Sequence, residues 1–98
     1  MFAKSPLDKL PEKLGRESLV DAIRTAIIAE LDAINFYLQI ASRASDPEVR
    51  RVFEDVAREE KAHVGEFLAL LEKLDPEQAR MLEEGRKEVE ELTSGQGS

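Results

Sequence analysis

The residues of this sequence best suited to chemistry are two glutamates and the single histidine. Glu60 and His63 stand three residues apart, so on a helix their side chains project from one face, one turn apart. Glu30 has the same placement among apolar residues in an earlier stretch. Burying an unpaired carboxylate costs several kcal/mol, a large part of the whole margin of folding stability. Three ionisable groups in an apolar seam therefore predict a shared partner, and a divalent metal is the simplest one.

The composition limits which metals and which partners are expected. The 98 residues include no cysteine, which excludes disulfides, thiolate zinc sites and iron–sulfur clusters from this sequence. Oxygen and imidazole ligands suit iron, manganese or zinc. The net charge of -7 argues against a nucleic-acid partner and against an anionic membrane surface. Without a long apolar run or a leader pattern, the chain is expected to be soluble and cytoplasmic.

Two long helices are predicted to position the three residues. Helix 1 is expected to start at Ser18, where Ser18 and Asp21 match a capping box, and to end near residues 42–44. Asp46-Pro47 ends one helix and starts the next, because aspartate caps a helix and proline fits its first position. Helix 2 is then expected over 47–74. The short link predicts an antiparallel hairpin.

The remaining segments are predicted to be minor parts of the same domain. Residues 1–17 contain two prolines and a glycine and are expected to form an N-terminal arm. Asp75-Pro76 repeats the restart, with Gln78 at the reciprocal capping-box position, and a weaker helix 3 is expected over roughly 77–92. The domain is predicted to span 18–92, followed by a flexible polar tail over 93–98.

The ligand count indicates half of a binuclear metal site. A carboxylate-bridged di-iron site in a four-helix bundle takes a Glu from each of two helices and a Glu-x-x-His from each of the other two. This chain supplies one such glutamate and one such pair. A two-fold axis between two hairpins completes both the ligand set and the bundle. The predicted fold is therefore all-α, an antiparallel two-helix hairpin plus a short C-terminal helix, dimerising into a four-helix bundle.

Charge and position suggest a role for each residue. Two Fe²⁺ ions carry four positive charges, and two copies of Glu30 and Glu60 carry four negative ones. Glu60, nearest the middle of the bundle, is the best candidate to bridge both metals, while His63 gives each metal a nitrogen ligand. Glu30 closes the site from the other layer. Tyr37, two turns beyond Glu30 on the same face, is expected either to hydrogen-bond a ligand carboxylate or to supply an electron.

Plainer interpretations of the same residues remain open. His63 is alternatively a histidine at the edge of the core, with Glu60 exposed to solvent. Glu59 and Glu66 are expected to belong to a solvated face, and Asp32 to the surface. The phenylalanines of the two long helices are expected to be core or interface residues that imply no cofactor, namely Phe36, Phe53 and Phe67.

Two stretches resemble the ferritin-like superfamily, and more closely the encapsulated ferritins of bacteria and archaea. They are residues 29–37, AELDAINFY, and residues 58–63, REEKAH. The resemblance implies a two-helix protomer whose homodimer builds an iron-oxidising (ferroxidase) centre, with dimers assembling into a ring of ten chains. It also implies an encapsulin shell protein as partner and residence inside that nanocompartment, where oxidised iron is stored. Glu30, Glu60 and His63 match the family's iron ligands, and Tyr37 matches a tyrosine beside the centre.

The sequence also departs from that family's pattern. Some members carry an acidic pair that flanks the first ligand glutamate and forms an outer metal site. Here those positions are Ala29 and Asp32, so half of that site is missing. The tail Leu92-Thr93-Ser94-Gly95 only faintly resembles shell-targeting peptides of cargo proteins, and a truncated chain or a domain fused to the shell protein explains it equally well.

Two other functions compete with Fe(II) oxidation. One is a rubrerythrin-like di-iron peroxidase on the same helices, although such proteins usually add an iron site held by four cysteines, and this sequence has none. The other is a non-catalytic helical dimerisation module, in which Glu60 and His63 form an ion pair between subunits.

Overall fold

The computed structural model describes residues 15–95, and over that range the chain consists of three α-helices without a strand. Helix α1 spans Arg16–Arg43, α2 spans Pro47–Leu74 and α3 spans Pro76–Ser94. The all-α prediction is confirmed, and so are the bounds of α2. Helix α3 extends two residues further than expected, into the predicted tail. Most of the predicted arm and the last three residues lie outside the described residues.

The predicted start of α1 is wrong. Gly15 is the N-cap, with φ -72° and ψ 178°, and no side chain caps the helix. Its carbonyl oxygen accepts a hydrogen bond from the Leu19 amide at 2.9 Å, so Ser18 already lies within the first turn. A side-chain cap contributes only about 1 kcal/mol, which further backbone hydrogen bonds of the earlier turn offset. The Asp21 carboxylate lies 3.6 Å from Arg24 instead of capping the helix.

Helices α1 and α2 form the predicted antiparallel hairpin. At its turn, Asp46 Oδ1 accepts hydrogen bonds from the amides of Glu48 at 2.8 Å and Val49 at 3.3 Å, as expected of an N-cap. At the opposite end, Arg16 at the start of α1 donates to the carbonyl oxygen of Leu74 at 3.4 Å. The beginning of one helix therefore lies beside the end of the other, and residues near the middle of each face one another.

A polar cluster that the sequence did not suggest fixes the start of α3. Asp75 caps α3 through Oδ1, which accepts from the Gln78 amide at 3.1 Å, while Oδ2 accepts from Arg24 of α1 at 2.6 Å. Gln78 was expected to reach back to the Asp75 amide. That amide instead donates to the Leu71 carbonyl at 2.8 Å, and the Gln78 side chain accepts from Arg24 Nε at 3.4 Å. Arg24 thus joins α1 to the α2–α3 junction.

Very little of the described chain is buried. Among the described residues, six buried side chains form the core, four in α1, two in α2 and none in α3: Val20, Ala33, Ile34, Ala41, Ala57 and Leu71. The radius of gyration is 17.2 Å, against about 13 Å for a compact domain of about 100 residues. None of the described helices combines the length and the apolarity needed to cross a bilayer. The single chain is therefore an open, flat arrangement with a thin core.

We expect Asp75→Ala to cost more stability than Asp46→Ala, because Asp75 caps a helix and also holds Arg24. Loss of a cap alone costs about 1 kcal/mol. The Arg24 pair is partly exposed and adds at most about 1 kcal/mol. Urea unfolding of both variants measures the difference, and solution X-ray scattering reports the direction of α3. Equal losses of stability in the two variants, with unchanged scattering, would mean that the contact between Asp75 and Arg24 does not stabilise the fold.

Candidate metal centre

The hairpin brings together the three residues that the sequence singled out. Glu30 comes from the middle of α1, and Glu60 and His63 come from the facing part of α2, one turn apart. His63 Nδ1 lies 3.1 Å from Glu30 Oε2 and 3.5 Å from Glu60 Oε2. One ligand atom from each residue lies within 4.8 Å of the other two. We call these three residues the carboxylate–histidine cluster.

The cluster lies at an open edge of the apolar seam. The Glu30 and Glu60 side chains are 21% and 18% exposed, whereas that of His63 is 45% exposed. Both carboxylates are therefore largely withdrawn from water, and the imidazole remains accessible from one side. Such a position leaves room for a ligand or a further protein surface to approach the cluster from outside the hairpin.

The donor set and its spacing fit a divalent metal. Carboxylate oxygens and an imidazole nitrogen are the ligands that iron, manganese and zinc accept in proteins. Bonds of about 2.1 Å that meet at right angles place neighbouring ligand atoms about 3.0 Å apart. The separations of 3.1 and 3.5 Å around Nδ1 are close to that value. Glu30, Glu60 and His63 would each provide one ligand atom to such an ion.

Close packing of the three groups shifts two of their proton affinities. The pKa of Glu30 is raised, chiefly by a side-chain hydrogen bond with Glu60 and also by burial, while His63 acts in the opposite direction. The pKa of His63 is raised, chiefly by its hydrogen bond with Glu30, with burial opposing the change. A cation bound at the cluster would therefore compete with protons for these groups.

We expect the metal-free protein to lose stability as the pH rises through the titration of this cluster. A raised folded-state pKa means that the folded chain binds protons more tightly than the unfolded chain, so a higher pH favours unfolding. The stability that Glu30 contributes begins to be lost as the pH rises above its ordinary pKa of 4.5. The stability that His63 contributes is fully present below its ordinary pKa of 6.5. Each contribution has disappeared once the pH exceeds the raised value.

Thermal unfolding in EDTA at a series of pH values measures this dependence. Glu30→Gln is the matched variant, because its amide fills the same space and does not titrate. The wild type is expected to lose more stability than the variant with rising pH. A difference between the two proteins that stays constant across the series would mean that the cluster does not titrate as described.

Tyr37 lies two turns beyond Glu30 and packs between two aromatic rings. Its ring centroid is 5.9 Å from that of Phe53 in α2 and 5.8 Å from that of its neighbour Phe36. The Tyr37 hydroxyl makes no hydrogen bond to any residue between 15 and 95. Within one chain, the phenol therefore packs near the cluster without touching it, and its predicted role there stays a prediction.

The acidic residues around the cluster are separate from it. Glu59 and Glu66 are exposed, as expected for a solvated face, and neither belongs to the group that is close enough to share a cation. Asp32 was expected at the surface but is half-buried, and it also lies outside the cluster. Ala29 brings no ligand. The structure thus brings Glu30, Glu60 and His63 together and leaves Asp32 outside the cluster.

Two of the contacts between helices were not predicted from the sequence. The Arg24–Asp75 pair joins residues 51 positions apart, and no local pattern predicts such a pair. The Tyr37–Phe53 contact had a detectable signal. Tyr37 follows Glu30 by seven residues and Phe53 precedes Glu60 by seven, and in an antiparallel hairpin these offsets run in the same direction.

Comparisons with known proteins agree with the geometry. Residues 21–94 match the rubrerythrin family. The chain is 60% identical over 78 residues to a ferritin-like–encapsulin shell fusion protein of Pyrococcus furiosus, over 80% of this chain and 23% of that protein. It is 35% identical over 86 residues to the encapsulin nanocompartment cargo protein EncC of Myxococcus xanthus, over 88% of this chain and 66% of that protein. The chain thus spans only part of each of these relatives.

A solved structure resembles the whole chain. The encapsulated ferritin domain from Pyrococcus furiosus matches with a TM-score of 0.85 and 52% identity, covering 96% of this chain and 97% of that one. The family match and this structural match cover the hairpin and α3 together. The chain therefore belongs to the rubrerythrin family and, among the ferritin-like proteins, to the encapsulated ferritins.

Proposed function

We propose that this chain is a ferroxidase that oxidises Fe(II) to Fe(III) at a di-iron centre shared between two subunits. The observation that carries the proposal is the carboxylate–histidine cluster, in which three ligand atoms lie within 4.8 Å of one another. Fe(II) is the substrate, and two ferrous ions each give one electron to a shared dioxygen or peroxide and become Fe(III). In this proposal Glu60 bridges both ions, His63 supplies a nitrogen ligand to one of them, and Glu30 closes the site.

Pairing of two chains is supported by what one chain leaves exposed. The cluster contains half of the ligands of a carboxylate-bridged di-iron site. The same hairpin exposes many large apolar side chains, among them Leu31, Leu38, Val52 and Leu70. A monomer rarely leaves so much apolar surface in water. A second hairpin placed over the open edge of the cluster would bury such residues and complete the ligand set.

Metal would also remove a source of repulsion at this interface. A two-fold axis brings two copies of Glu30 and Glu60 together, and four carboxylates in a poorly hydrated seam repel one another. Two Fe(II) ions balance that charge. We therefore expect the assembled pair to bind iron more tightly than a single chain does. We propose that such pairs assemble further into a ring of ten chains.

We also propose that the chain works inside an encapsulin nanocompartment, with the shell protein as its partner. This proposal rests on the relatives, since one is a fusion to an encapsulin shell and another is an encapsulin cargo protein. The open, thin-cored protomer has no enclosed cavity among its described residues that would hold a mineral. The oxidised iron would then be stored in the surrounding shell.

A di-iron peroxidase is a second candidate, favoured by the match to the rubrerythrin family. The same cluster would bind its metals. The two functions differ in the oxidant and the electron donor, since a peroxidase reduces hydrogen peroxide repeatedly when a reductant is supplied. A ferroxidase consumes Fe(II) as its substrate.

Anaerobic Fe(II) binding, followed by oxygen uptake in air, tests the proposal. Purified protein is titrated with Fe(II) without oxygen to measure the bound iron per chain. Fe(II) in excess of the sites is then added in air. Saturable binding of one iron per chain, followed by catalytic oxygen uptake, is expected. No saturable binding, or uptake at the rate of free Fe(II), would contradict the proposed function.

A further inference from the structure

The Tyr37–Phe53 pair repeats the geometry of the cluster one heptad along the hairpin. Seven residues are close to two helical turns, so Tyr37 lies on nearly the same face of α1 as Glu30, about 10.5 Å along the axis. Phe53 stands in the same relation to Glu60 on α2. Because the helices are antiparallel, both steps lead towards the turn of the hairpin, and the two aromatic residues meet as the ligands do.

Phe53 makes the contact that ties the Tyr37 ring to the other helix. Their centroids are 5.9 Å apart, with the ring planes at 51°, within the range of favourable tilted aromatic pairs. Phe36 also touches the Tyr37 ring, at 5.8 Å and 50°. However, Phe36 is the residue immediately before Tyr37 in the same helix and is 44% exposed, so it cannot anchor Tyr37 to the other helix.

The phenol itself has no polar anchor in the described part of the chain. Its hydroxyl forms no hydrogen bond there, whereas both aromatic contacts involve only the ring. Tyr37 and Phe53 are half-buried, so the Tyr37 ring is partly shielded from water. Ring packing, and not hydrogen bonding, must therefore determine where the hydroxyl is held.

We propose that Phe53 is a positioning residue for Tyr37, holding the phenol on the face of the hairpin that carries the carboxylate–histidine cluster. Its relevance to iron rests on the proposed function, but the packing itself does not depend on metal. Held in this way, the phenol lies on nearly the same face of α1 as Glu30. Phe53 is not part of the carboxylate–histidine cluster and acts only through Tyr37.

Removing the Phe53 ring should therefore free Tyr37 without unfolding the hairpin. Leucine keeps the site apolar but removes the aromatic pair, which contributes about 0.5–1.5 kcal/mol, or roughly a two- to tenfold change in the ratio of packed to unpacked ring. Phe67→Leu is the matched control. Phe67 lies in the same helix and is also half-buried, but makes no ring contact with Tyr37.

Tyr37 is its own reporter, because it is the single tyrosine and the sequence has no tryptophan. Tyrosine fluorescence of the metal-free protein is therefore a signal from this one side chain. In Phe53→Leu we expect faster depolarisation of that fluorescence and stronger quenching by acrylamide, with unchanged helical circular dichroism. Phe67→Leu should resemble the wild type. Equal depolarisation and quenching in all three proteins would overturn the proposal.

A second measurement tests whether Tyr37 responds to iron binding at the carboxylate–histidine cluster. Fe(II) is added anaerobically while Tyr37 fluorescence and bound iron are followed in parallel. We expect fluorescence quenching to follow iron binding in the wild type and to be weaker in Phe53→Leu at equal occupancy. If iron binds but quenching is the same in both proteins, the positioning role is wrong and the proposed function stands. If no iron binds to the wild type, the proposed function fails, while the packing result in the metal-free protein remains valid.

Discussion

Replacing Glu60 by alanine is expected to lower the rate of protein-catalysed Fe(II) oxidation by more than about 100-fold, since even partners that only support metal ligands cost 10–100-fold. Glu60 faces both other members of the cluster and is proposed to bridge the two ions. Its loss would remove a ligand from each ion at once, and in a symmetric pair it would remove both bridges. Absorbance of ferric products in the near ultraviolet, recorded after adding Fe(II) in air, measures the rate.

Glu59→Ala is the matched control for this prediction. Glu59 is the adjacent residue, carries the same charge and is exposed, but lies outside the cluster. The control should oxidise Fe(II) at close to the wild-type rate. His63→Ala and Glu30→Ala should behave like Glu60→Ala, because each removes a ligand. Similar rates in the wild type and the three ligand variants would refute catalysis at this cluster.

Adding Fe(II) without oxygen is expected to shift the protein strongly towards dimers or larger assemblies. A metal that binds only the assembled site stabilises it by about 2.7 kcal/mol when its free concentration is about 100 times the dissociation constant. That energy corresponds to about a 100-fold increase in the association constant for each bound ion. A large effect is expected because, in the proposed function, the cluster of a single chain offers only half of the ligand set. Anaerobic sedimentation velocity over a range of protein concentrations measures it.

The same experiment has two internal controls. EDTA should reverse the association, since it withdraws the metal without altering the chain. His63→Ala should show a much smaller response, although its exposed apolar surface is almost the same as that of the wild type. If iron leaves the sedimentation coefficient unchanged, or if His63→Ala associates equally well, then metal does not join the subunits.

The helices and the carboxylate–histidine cluster could be predicted from sequence because the sequence patterns that indicate them are local and repeated. The two Asp-Pro pairs, Asp46-Pro47 and Asp75-Pro76, predict where one helix ends and the next begins. Both aspartates cap the N-terminus of the following helix, as expected. The cluster could be predicted because Glu30 and Glu60 stand in apolar helical patterns where an unpaired charge is costly. Local periodicity and desolvation thus carry most of the information about the site.

The errors came from competition between similar small energies. Ser18 is a good capping residue, yet the helix begins at Arg16, because an additional turn of backbone hydrogen bonds is worth as much as a cap. Gln78 likewise leaves the capping box for Arg24, a residue 54 positions away. Contacts between distant residues decide such cases, and a single sequence does not show them.

The exposed surface of the protomer is the part that the sequence described least well. An apolar pattern does not distinguish a core within one chain from an interface between two chains. The structure makes that distinction for the described residues: the alanines and Leu71 facing the hairpin's interior are buried, while Ile28, Leu31 and Val52 are exposed. The exposed apolar residues are therefore available for an interface with a second chain, as we propose.

Anomalous diffraction from crystals grown with iron would show whether each chain provides half of a binuclear site, as we propose. We expect two iron peaks close to a two-fold axis, each bound by residues of two chains, with Glu30, Glu60 and His63 of both chains as ligands. Iron bound entirely within a single chain, or these three side chains directed into solvent away from any partner, would contradict it.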